Sequence, residues 1–248
     1  MKISIITVTY NSAATVADTL TCIRDQDHPE VEHIIIDGGS TDDTLKIVSA
    51  FPHVSRVISE KDRGIYDAMN KGIFLSSGDI VGILNSDDIY TDSGVLSTIA
   101  HAFSDPDVQA VYADLQYVDA GNMDKVIRTW VTGRFERKKF YYGWMPPHPT
   151  FFVRKKIYDE VGLFNIVLRS AADYEIMLRI LFKYGIQASY IPKVIVKMRA
   201  GGMSNVSLKN RVKANREDRL AWKLNGLKPY FFTLYLKPLR KVTQFFIR

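Results

Sequence analysis

Short apolar runs alternate with helical patterns along the first 85 residues of the chain. Four runs rich in β-branched residues predict strands, at residues 2–8, 31–36, 54–58 and 80–84. Apolar positions spaced three and four apart predict helices between them, at residues 14–24, 44–51 and 65–75. Because strands joined by helices of this length form βαβ units, the pattern predicts an α/β fold with a mostly parallel sheet flanked by helices.

The pattern changes after residue 90. Helices are predicted at residues 94–103 and 170–184, the second from its amphipathic spacing. Shorter strands are predicted at residues 110–112, 115–118, 125–130, 151–153 and 194–198. Residues 138–150 are rich in aromatic residues, Pro and Gly, which predicts a long loop rather than a regular element.

Charge is distributed unevenly along the chain. The formal net charge is +6, but residues 205–248 carry 11 Lys and Arg against 2 Asp and Glu, whereas residues 1–204 carry 22 against 25. A mildly acidic body is therefore followed by a basic tail, in which aromatic residues lie among the cations. This composition favours contact with an anionic membrane surface, and packing of the tail on the body is the alternative. No nucleic-acid-binding motif accompanies the basic residues, so we expect no nucleic-acid partner.

Several protein classes lack support in the sequence. A single cysteine, Cys22, excludes an internal disulfide and suits a reducing compartment. No apolar stretch approaches the roughly 20 residues that span a bilayer, and no signal-peptide pattern is present. The glycine motifs of NAD-binding and P-loop proteins are also missing. We therefore expect a cytoplasmic protein that uses neither of these nucleotide sites.

Polar clusters follow the first four predicted strands, at residues 7–12, 37–42, 60–64 and 85–88. Because the carboxyl ends of parallel strands meet at one edge of a sheet, where ligands bind in open α/β folds, we expect these clusters to converge. The adjacent carboxylates of Asp87 and Asp88 offer the hard oxygen ligands that Mg²⁺ or Mn²⁺ prefers. The alternative is that either residue only opens a turn.

Further candidates lie outside the strand ends. Asp173 falls in the first turn of a predicted helix, whose dipole stabilises a carboxylate there. His148 lies in the long loop and is a candidate for sugar or metal contact, although a lone histidine among prolines is more often structural. Residues 199–204 form a basic loop with two glycines that is either a cover for a diphosphate or an ordinary connection.

Five ordered motifs across residues 1–204 resemble those of family 2 glycosyltransferases. They are Thr9-Tyr10-Asn11, Asp37-Gly38-Gly39-Ser40-x-Asp42, Asp62-x-Gly64-Ile65-Tyr66-Asp67-Ala68-Met69-Asn70-Lys71-Gly72, Asn85-Ser86-Asp87-Asp88 and Ala172-Asp173-Tyr174. These are inverting enzymes with the GT-A fold, and the chain is most similar to the branch of colanic-acid, exopolysaccharide and O-antigen synthesis. Many relatives have Asp where this chain has Asn85, so a metal-binding role for residue 85 is in doubt. Relatives also often have Glu where this chain has Ala172.

The resemblance implies a role for each matched residue. The nucleoside of a nucleotide-sugar donor is expected to be held by Thr7, which lies just before the first motif, and by four residues of the first three motifs: Tyr10, Asn11, Asp37 and Asp62. Arg63 and Lys71 are expected near the base or the diphosphate, Asp87 at the ribose or the metal, and Asp88 as a direct ligand of Mn²⁺ or Mg²⁺. Asp173 is implied to be the general base that deprotonates the acceptor hydroxyl.

The sequence thus predicts a metal-dependent inverting glycosyltransferase that acts on a saccharide or lipid-linked saccharide acceptor in bacterial surface polysaccharide synthesis. Residues 1–90 are expected to bind the donor, residues 91–204 to form the acceptor side, and residues 205–248 to form a helical tail on the inner face of the plasma membrane. The alternative is a catalytically silent scaffold or carbohydrate-binding subunit of a polysaccharide assembly complex.

Overall fold

The computed structural model describes residues 1–201 and 208–244. Within these ranges the strands are β1 (Ile3–Thr9), β2 (Val31–Asp37), β3 (Val54–Ser59), β4 (Ile80–Ile83), β5 (Asp88–Tyr90), β6 (Ala110–Val118), β7 (Val126–Trp130), β8 (Phe152–Arg154) and β9 (Ala188–Arg199). The helices are α1 (Val16–Arg24), α2 (Thr44–Ser49), α3 (Ile65–Leu75), α4 (Val95–Ala102), α5 (Lys155–Val161), α6 (Ala172–Met177), α7 (Leu208–Leu224) and α8 (Thr233–Thr243).

The strands form one mixed sheet. Among the described residues its order is β3-β2-β1-β4-β8-β6-β9-β5. Strand β7 pairs with residues 115–118 of β6, beyond the part of β6 that pairs with β8. The first four strands are parallel, as the alternating pattern predicted. Strand β8 is antiparallel to β4, and β5 is antiparallel to β9. The carboxyl ends of β1 to β4 therefore lie along one edge, as we expected.

Helices cover both faces of the sheet because the central strands are apolar on both sides. All seven residues of β1 are buried, which is typical of a strand at the centre of a parallel sheet. On one face, Ile6 of β1 contacts α3 so closely that a Cβ on Gly72 would lie 2.3 Å from an Ile6 carbon. On the other face, Ile3 and Ile5 belong to a cluster with Leu96 and Ile99 of α4. This packing fixes α3 against the strand ends.

Several elements differ from the sequence prediction. Strand β5 and helix α5 were not predicted. Residues 110–118 form one strand, β6, where we predicted two, because the intervening Ala113 and Asp114 continue pairing with β9 through a register shift. Strand β9 begins at Ala188, six residues before the predicted start. The predicted helix 170–184 divides into α6 and a π-helical segment, Leu178–Lys183.

The C-terminal helices pack on the body of the protein. Trp222 of α7 is fully buried. At α8, the Thr233 hydroxyl donates to the carbonyl of Tyr141 at 2.7 Å, and Lys237 forms an ion pair of 2.6 Å with Asp218 of α7. Packing of the tail, the alternative left open by the sequence, is therefore present.

No helix within residues 1–201 and 208–244 is both long enough and apolar enough to cross a bilayer. The predicted boundary at residue 204 and residues 202–204 of the glycine loop lie outside the described residues.

Candidate active site

The Asp87–Asp88 pair lies on the turn that leads from β4 to β5. Asp88 is completely buried, and its Oδ2 accepts a 3.3 Å hydrogen bond from the Asn85 amide. Its backbone carbonyl accepts a bond of 2.8 Å from the Thr19 hydroxyl. Burial, together with the charge of Asp87, raises the pKa of Asp88 well above its ordinary value, and burial also raises the pKa of Asp87. The turn thus holds two carboxyl groups where negative charge is costly.

Two oxygen atoms on this turn have no hydrogen-bond partner among the described residues. They are Oδ1 of Asp88 and Oδ1 of Asn85, and both are buried. Buried acceptors are normally satisfied, so these two oxygens, one of them from the Asp88 carboxyl group itself, are suited to an electropositive partner. Hard oxygen donors of this kind fit Mg²⁺ or Mn²⁺.

The donor set supplied by the protein is small. Within the described residues, no group of three or more His, Cys, Asp or Glu side chains is arranged to hold a metal ion. This agrees with a Mg²⁺-type site, in which one or two carboxylates share the ion with water and substrate phosphates. Asp88 and Asp87 therefore fit a divalent cation that a phosphorylated substrate helps to bind.

Arg199, at the end of β9, binds the backbone of the turn that carries Asp87 and Asp88. Its Nη1 donates to the carbonyl of Asp87 at 2.8 Å, and its Nη2 forms an ion pair with Asp18 of α1. The side chain of Arg199 is 10% exposed. Its head group is thus bound within the protein at the end of a strand, whereas the sequence predicted that residue 199 begins a basic loop. The contact between Arg199 and Asp18 spans 181 residues and was not predicted.

Asp37, the last residue of β2, is the centre of a hydrogen-bond network. Its Oδ1 accepts from the hydroxyls of Thr9 and Ser40, and its Oδ2 accepts from the Ser59 hydroxyl and the backbone amides of Gly39 and Ser40. Burial opposes ionisation, but the bonds from Ser40 and Ser59 outweigh it and lower the pKa of Asp37. The carboxylate fixes the loop after β2 and has five partners within the protein.

Tyr10 and Asp62 lie on either side of Gly38, next to the hydrogen bonds of Asp37. We call the space between these two side chains the Tyr10–Asp62 slot. A Cβ on Gly38 would lie 3.2 Å from Asp62 Oδ2 and 3.4 Å from Tyr10 Cδ2, so glycine keeps the space between them open. The Tyr10 ring is 64% exposed. Lys71 forms ion pairs of 2.5 Å with Asp62 and 2.8 Å with Glu60. Burial opposes the charged form of Lys71, but these hydrogen bonds raise its pKa.

Two further predicted residues stabilise the same edge. Asn11 adopts a positive φ of 49°, and its Oδ1 accepts a 2.9 Å bond from the backbone amide of Thr41. The Thr7 hydroxyl is buried and lies 3.0 Å from Nε2 of His33. The Asn11 side chain therefore joins the first polar cluster to the second, and the Thr7 side chain joins β1 to the middle of β2.

The start of α3 positions Arg63 and Tyr66. Asp67 accepts from the backbone amide of Arg63 at 3.1 Å and from its guanidinium at 3.0 Å. The side chain of Arg63 remains 76% exposed. Asn70, one turn further on, makes bonds of 2.9 Å to both the amide and the carbonyl of Phe164, which anchors α3 to the opposite side of the site.

A cavity of about 280 Å³ lies between α3, the turn after β4 and the loop at 143–149. Asp173, Tyr66, Asn85 and His148 all line it. The Tyr66 hydroxyl donates to Asp173 Oδ1 at 3.3 Å, and the backbone amide of Tyr174 donates to the same oxygen at 2.8 Å. Burial raises the pKa of Tyr66 well above its ordinary value and lowers the pKa of His148, so both side chains are neutral at pH 7.

Helix α8 and the residue that follows it form part of the cavity wall. Lys237, Arg240 and Gln244 contribute to its lining. Gly143, with φ of +75°, lies against the backbone of Lys237, so a larger residue there would collide with α8. The sequence indicated a basic tail but did not predict that its side chains enter a cavity that also contains Asp173.

The structure thus divides the predicted residues into two groups. Asp173, His148 and Asn85, which precedes Asp87 and Asp88 on their turn, share the cavity. Tyr10, Asp37, Asp62 and Lys71 form a separate cluster, while Thr7 is buried between the strands. Tyr66 and the α8 residues are the parts that sequence reasoning missed. Tyr66 stood in a recognised motif, but only the fold places it next to Asp173.

Solved structures of other proteins share this architecture. TarS of S. aureus, residues 1–349 in complex with UDP-GlcNAc, matches with a TM-score of 0.70 and 19% identity over 98% of this chain and 73% of that chain. The mannosyltransferase PcManGT from Pyrobaculum calidifontis, in complex with GDP-Man and Mn²⁺, matches with a TM-score of 0.68 and 20% identity over 95% of this chain and 68% of that chain. A longer TarS structure is covered over only 39% of its length. At these identities the likeness defines the fold, which is the GT-A fold of glycosyltransferases.

Sequence relatives narrow the class. A PGL/p-HBAD biosynthesis glycosyltransferase of Mycobacterium bovis (strain BCG / Pasteur 1173P2) is 29% identical over 207 residues, which cover 82% of this chain and 78% of the relative. An uncharacterised glycosyltransferase of Mycobacterium tuberculosis is 31% identical over 183 residues, 71% of this chain and 68% of the relative. The sequence model of glycosyl transferase family 2 matches residues 4–172. The chain belongs to glycosyl transferase family 2 and is a glycosyltransferase, as its motifs predicted.

Proposed function

We propose that this glycosyltransferase is a metal-dependent, inverting enzyme that moves a sugar from a nucleoside-diphosphate sugar to a saccharide acceptor. The observation that carries the proposal is the shared cavity of Asp173 and Asn85, which brings a carboxylate base to the turn that bears the metal-binding carboxyl groups. An inverting transfer needs these two functions on opposite sides of one reacting carbon.

The donor nucleoside is assigned to the slot between Tyr10 and Asp62. The exposed Tyr10 ring offers a face for base stacking, and Asp62 offers a hydrogen-bond acceptor beside it. Asp37 and Asn11 hold the loops that shape this slot. Lys71 keeps Asp62 in position through its ion pair, and the exposed guanidinium of Arg63 is available to a phosphate.

A divalent cation, Mn²⁺ or Mg²⁺, is assigned to Asp88 and Asp87. When bound, it would neutralise the diphosphate charge, in the donor and in the leaving group. The unpaired Oδ1 of Asp88 supports this assignment, and Arg199 holds the backbone of the turn in place. TarS and PcManGT, whose structures contain UDP-GlcNAc and GDP-Man with Mn²⁺ respectively, suggest the kind of donor.

Asp173 is assigned as the general base. Within the described part of the chain, both hydrogen bonds to its carboxylate end on Oδ1, and we assign Oδ2 as the oxygen that takes the proton of the acceptor hydroxyl. As that proton leaves, the acceptor oxygen bonds to the anomeric carbon, and the bond from this carbon to the phosphate oxygen breaks. A single displacement of this kind inverts the anomeric configuration.

The acceptor is proposed to be a lipid-linked saccharide of bacterial surface polysaccharide synthesis, and the enzyme to act at the cytoplasmic face of the membrane. Helix α8 supports this, because Lys237 and Arg240 line the cavity while Tyr235 and Leu239 are exposed. The mycobacterial relative is named for PGL/p-HBAD biosynthesis. His148, at the cavity wall, is proposed to contact the acceptor or donor sugar as a neutral side chain.

The test is a thermal-shift panel with UDP-, GDP-, dTDP- and CMP-sugars, each with and without Mn²⁺, followed by transfer and donor-hydrolysis assays. A ligand at 100 times its Kd raises the free energy of unfolding by about 2.7 kcal/mol. We expect one nucleotide class to give a Mn²⁺-dependent shift that Asp88→Asn abolishes. Asp173→Asn should keep the shift and lose at least about 100-fold in kcat, within the usual range for a general base.

Two outcomes would contradict the proposal. If Asp173→Asn kept wild-type turnover, the base would be wrongly assigned. If the folded wild-type protein showed neither a thermal shift nor hydrolysis with any donor, the proposed catalytic function would be rejected. The scaffold or carbohydrate-binding alternative would then be favoured.

A further inference from the structure

Helix α7 holds the chain on both sides of Asp173. On the N-terminal side, the Glu217 carboxylate accepts three hydrogen bonds from the segment that leads into α6. The donors are the Arg169 amide at 3.0 Å, the Ser170 amide at 2.7 Å and the Ser170 hydroxyl at 2.8 Å. All three end on the same oxygen, Oε2. Glu217 therefore fixes the backbone three residues before the candidate base.

On the C-terminal side, two further bonds from the same part of the chain reach the next two residues. Trp222 Nε1 donates to the Tyr174 hydroxyl at 2.9 Å, and the Asn225 amide donates to Glu175 Oε1 at 2.9 Å. Trp222 and Tyr174 are both fully buried. Glu175 is also paired with Arg179 at 2.9 Å, so its position is determined from two directions.

The segment that carries Asp173 cannot hold its own position. Helix α6 has six residues and no side-chain hydrogen bond at its N-cap, and it passes directly into a π-helical turn. A helix of this length is not stable alone, because the first turn fixes many dihedral angles for few hydrogen bonds. External contacts must therefore set the direction of the Asp173 side chain.

We propose that Glu217 and Trp222 are positioning residues for catalysis, and that α7 is a structural part of the active site rather than an appendage to it. The inference rests on the proposed role of Asp173 as the base. A displacement of about 1 Å in a reacting group costs about 100-fold in rate, so small shifts of α6 are expected to matter. Neither residue touches the cavity, so both act through Tyr174 and Ser170.

The test compares Trp222→Phe with Tyr174→Phe. Each variant keeps an aromatic ring and removes one side of the 2.9 Å bond. We expect each to lower kcat about tenfold, with the KM for the donor and the Mn²⁺-dependent thermal shift unchanged. The double variant should be no slower than either single one, because the two substitutions remove the same interaction. Glu217→Ala should lower kcat in the same way.

Two controls separate positioning from general stability. Lys223→Ala changes an exposed residue on the same helix and should leave kcat unchanged. Trp222→Phe should cause no further loss in an Asp173→Asn background, because a residue that acts only through the base has nothing left to position. A purely structural role would lower the residual rate of that background as well.

The outcomes distinguish this inference from the proposed function. Wild-type kcat in Trp222→Phe beside an inactive Asp173→Asn would overturn the positioning role alone. Loss of rate in Trp222→Phe that is additive with Asp173→Asn would also overturn it. Wild-type turnover in Asp173→Asn would overturn the base assignment and the inference together.

Discussion

Tyr66 is the side chain in closest hydrogen-bond contact with the candidate base. Its hydroxyl lies 3.3 Å from Asp173 Oδ1, and its ring stacks on Phe164 with centroids 5.6 Å apart. Because burial raises the pKa of the phenol, it remains a donor throughout the physiological range. The bond orients one carboxylate oxygen and leaves the other for the acceptor.

We expect Tyr66→Phe to lower kcat about tenfold, since a hydrogen bond to a charged group contributes about 1.5–3 kcal/mol and only part of it concerns the transition state. The KM for the donor should not change, because the slot at Tyr10 and Asp62 is a separate cluster. Steady-state kinetics with the donor identified by thermal shift provide the measurement. Tyr184→Phe, which removes an exposed hydroxyl, is the matched control. Equal kcat values for the two variants would show that the Tyr66 hydroxyl has no catalytic effect.

At the scale of elements, Glu32 ties together the starts of three strands at the sheet edge opposite the site. Its carboxylate accepts from the Ser4 hydroxyl of β1 at 2.5 Å and from the Ser77 amide and hydroxyl, before β4, at 2.8 and 2.6 Å. Lys2 adds an ion pair of 3.2 Å. Burial opposes ionisation, but these bonds outweigh it and lower the pKa of Glu32 to about 2.

This shift predicts an acid-sensitive contribution to stability. Because the folded-state pKa is lower than the ordinary value of 4.5, the contribution is complete above about pH 5 and is lost as the pH falls towards 2. We expect Glu32→Gln to lower the free energy of unfolding at pH 7 by about 2 kcal/mol. Urea unfolding at pH 7, 5 and 3.5 should show the difference from wild type shrinking with acid. Exposed Glu160→Gln should show no comparable loss at any pH. A Glu32→Gln difference that stayed constant down to pH 3.5 would contradict the prediction.

The elements differ in how well their sequences predict them. Strands β1, β2 and β4 and helices α1 to α3 follow from local periodicity, because each buries apolar residues in a regular α/β unit. Strand β3 lies at the edge of the sheet with most of its residues exposed, and its β-branched residues predicted it. Strand β5 could not be predicted, since its three residues begin at Asp88 and pair with β9 more than 100 residues away. The π-helical turn after α6 has no local sequence signal, and its apolar residues satisfy a helical pattern equally well.

At the scale of the whole molecule, the polar edge of the sheet was predictable from the sequence. The packing of α8, which forms part of the wall of the cavity at that edge, was not. The polar cluster after β4 placed Asp88 at this edge, because parallel topology brings the strand ends together. Asp173 was proposed from a motif at the start of α6, and its distance from that edge could not be predicted. The cavity walls formed by α8 depend on packing between segments far apart in sequence, such as Thr233 on Tyr141. The composition of the tail indicated its charge but not the side chains that turn inward.

The outward face of the tail remains available for the predicted membrane contact. Phe231, Tyr235 and Leu239 follow at intervals of four residues and are 85%, 63% and 60% exposed, whereas Thr233 and Leu234 are buried against the body. This apolar stripe lies within a segment of net charge +9, which suits the interface of a bilayer rich in anionic lipid.

We expect the protein to float with phosphatidylglycerol-containing vesicles and to bind neutral phosphatidylcholine vesicles more weakly, with binding to the anionic vesicles decreasing as salt rises. The triple variant Phe231→Ser, Tyr235→Ser, Leu239→Ser should bind anionic vesicles at least about tenfold more weakly, because burial of each side chain contributes up to about 1.5–3 kcal/mol. Phe74→Ser, which removes a 79% exposed aromatic residue on α3, is the matched control and should bind like wild type. An unchanged nucleotide-induced thermal shift would show that the triple variant is folded. Equal flotation of the triple variant and wild type would mean that this stripe is not the membrane-binding surface, and the basic side chains of the tail would then have to account for the binding alone.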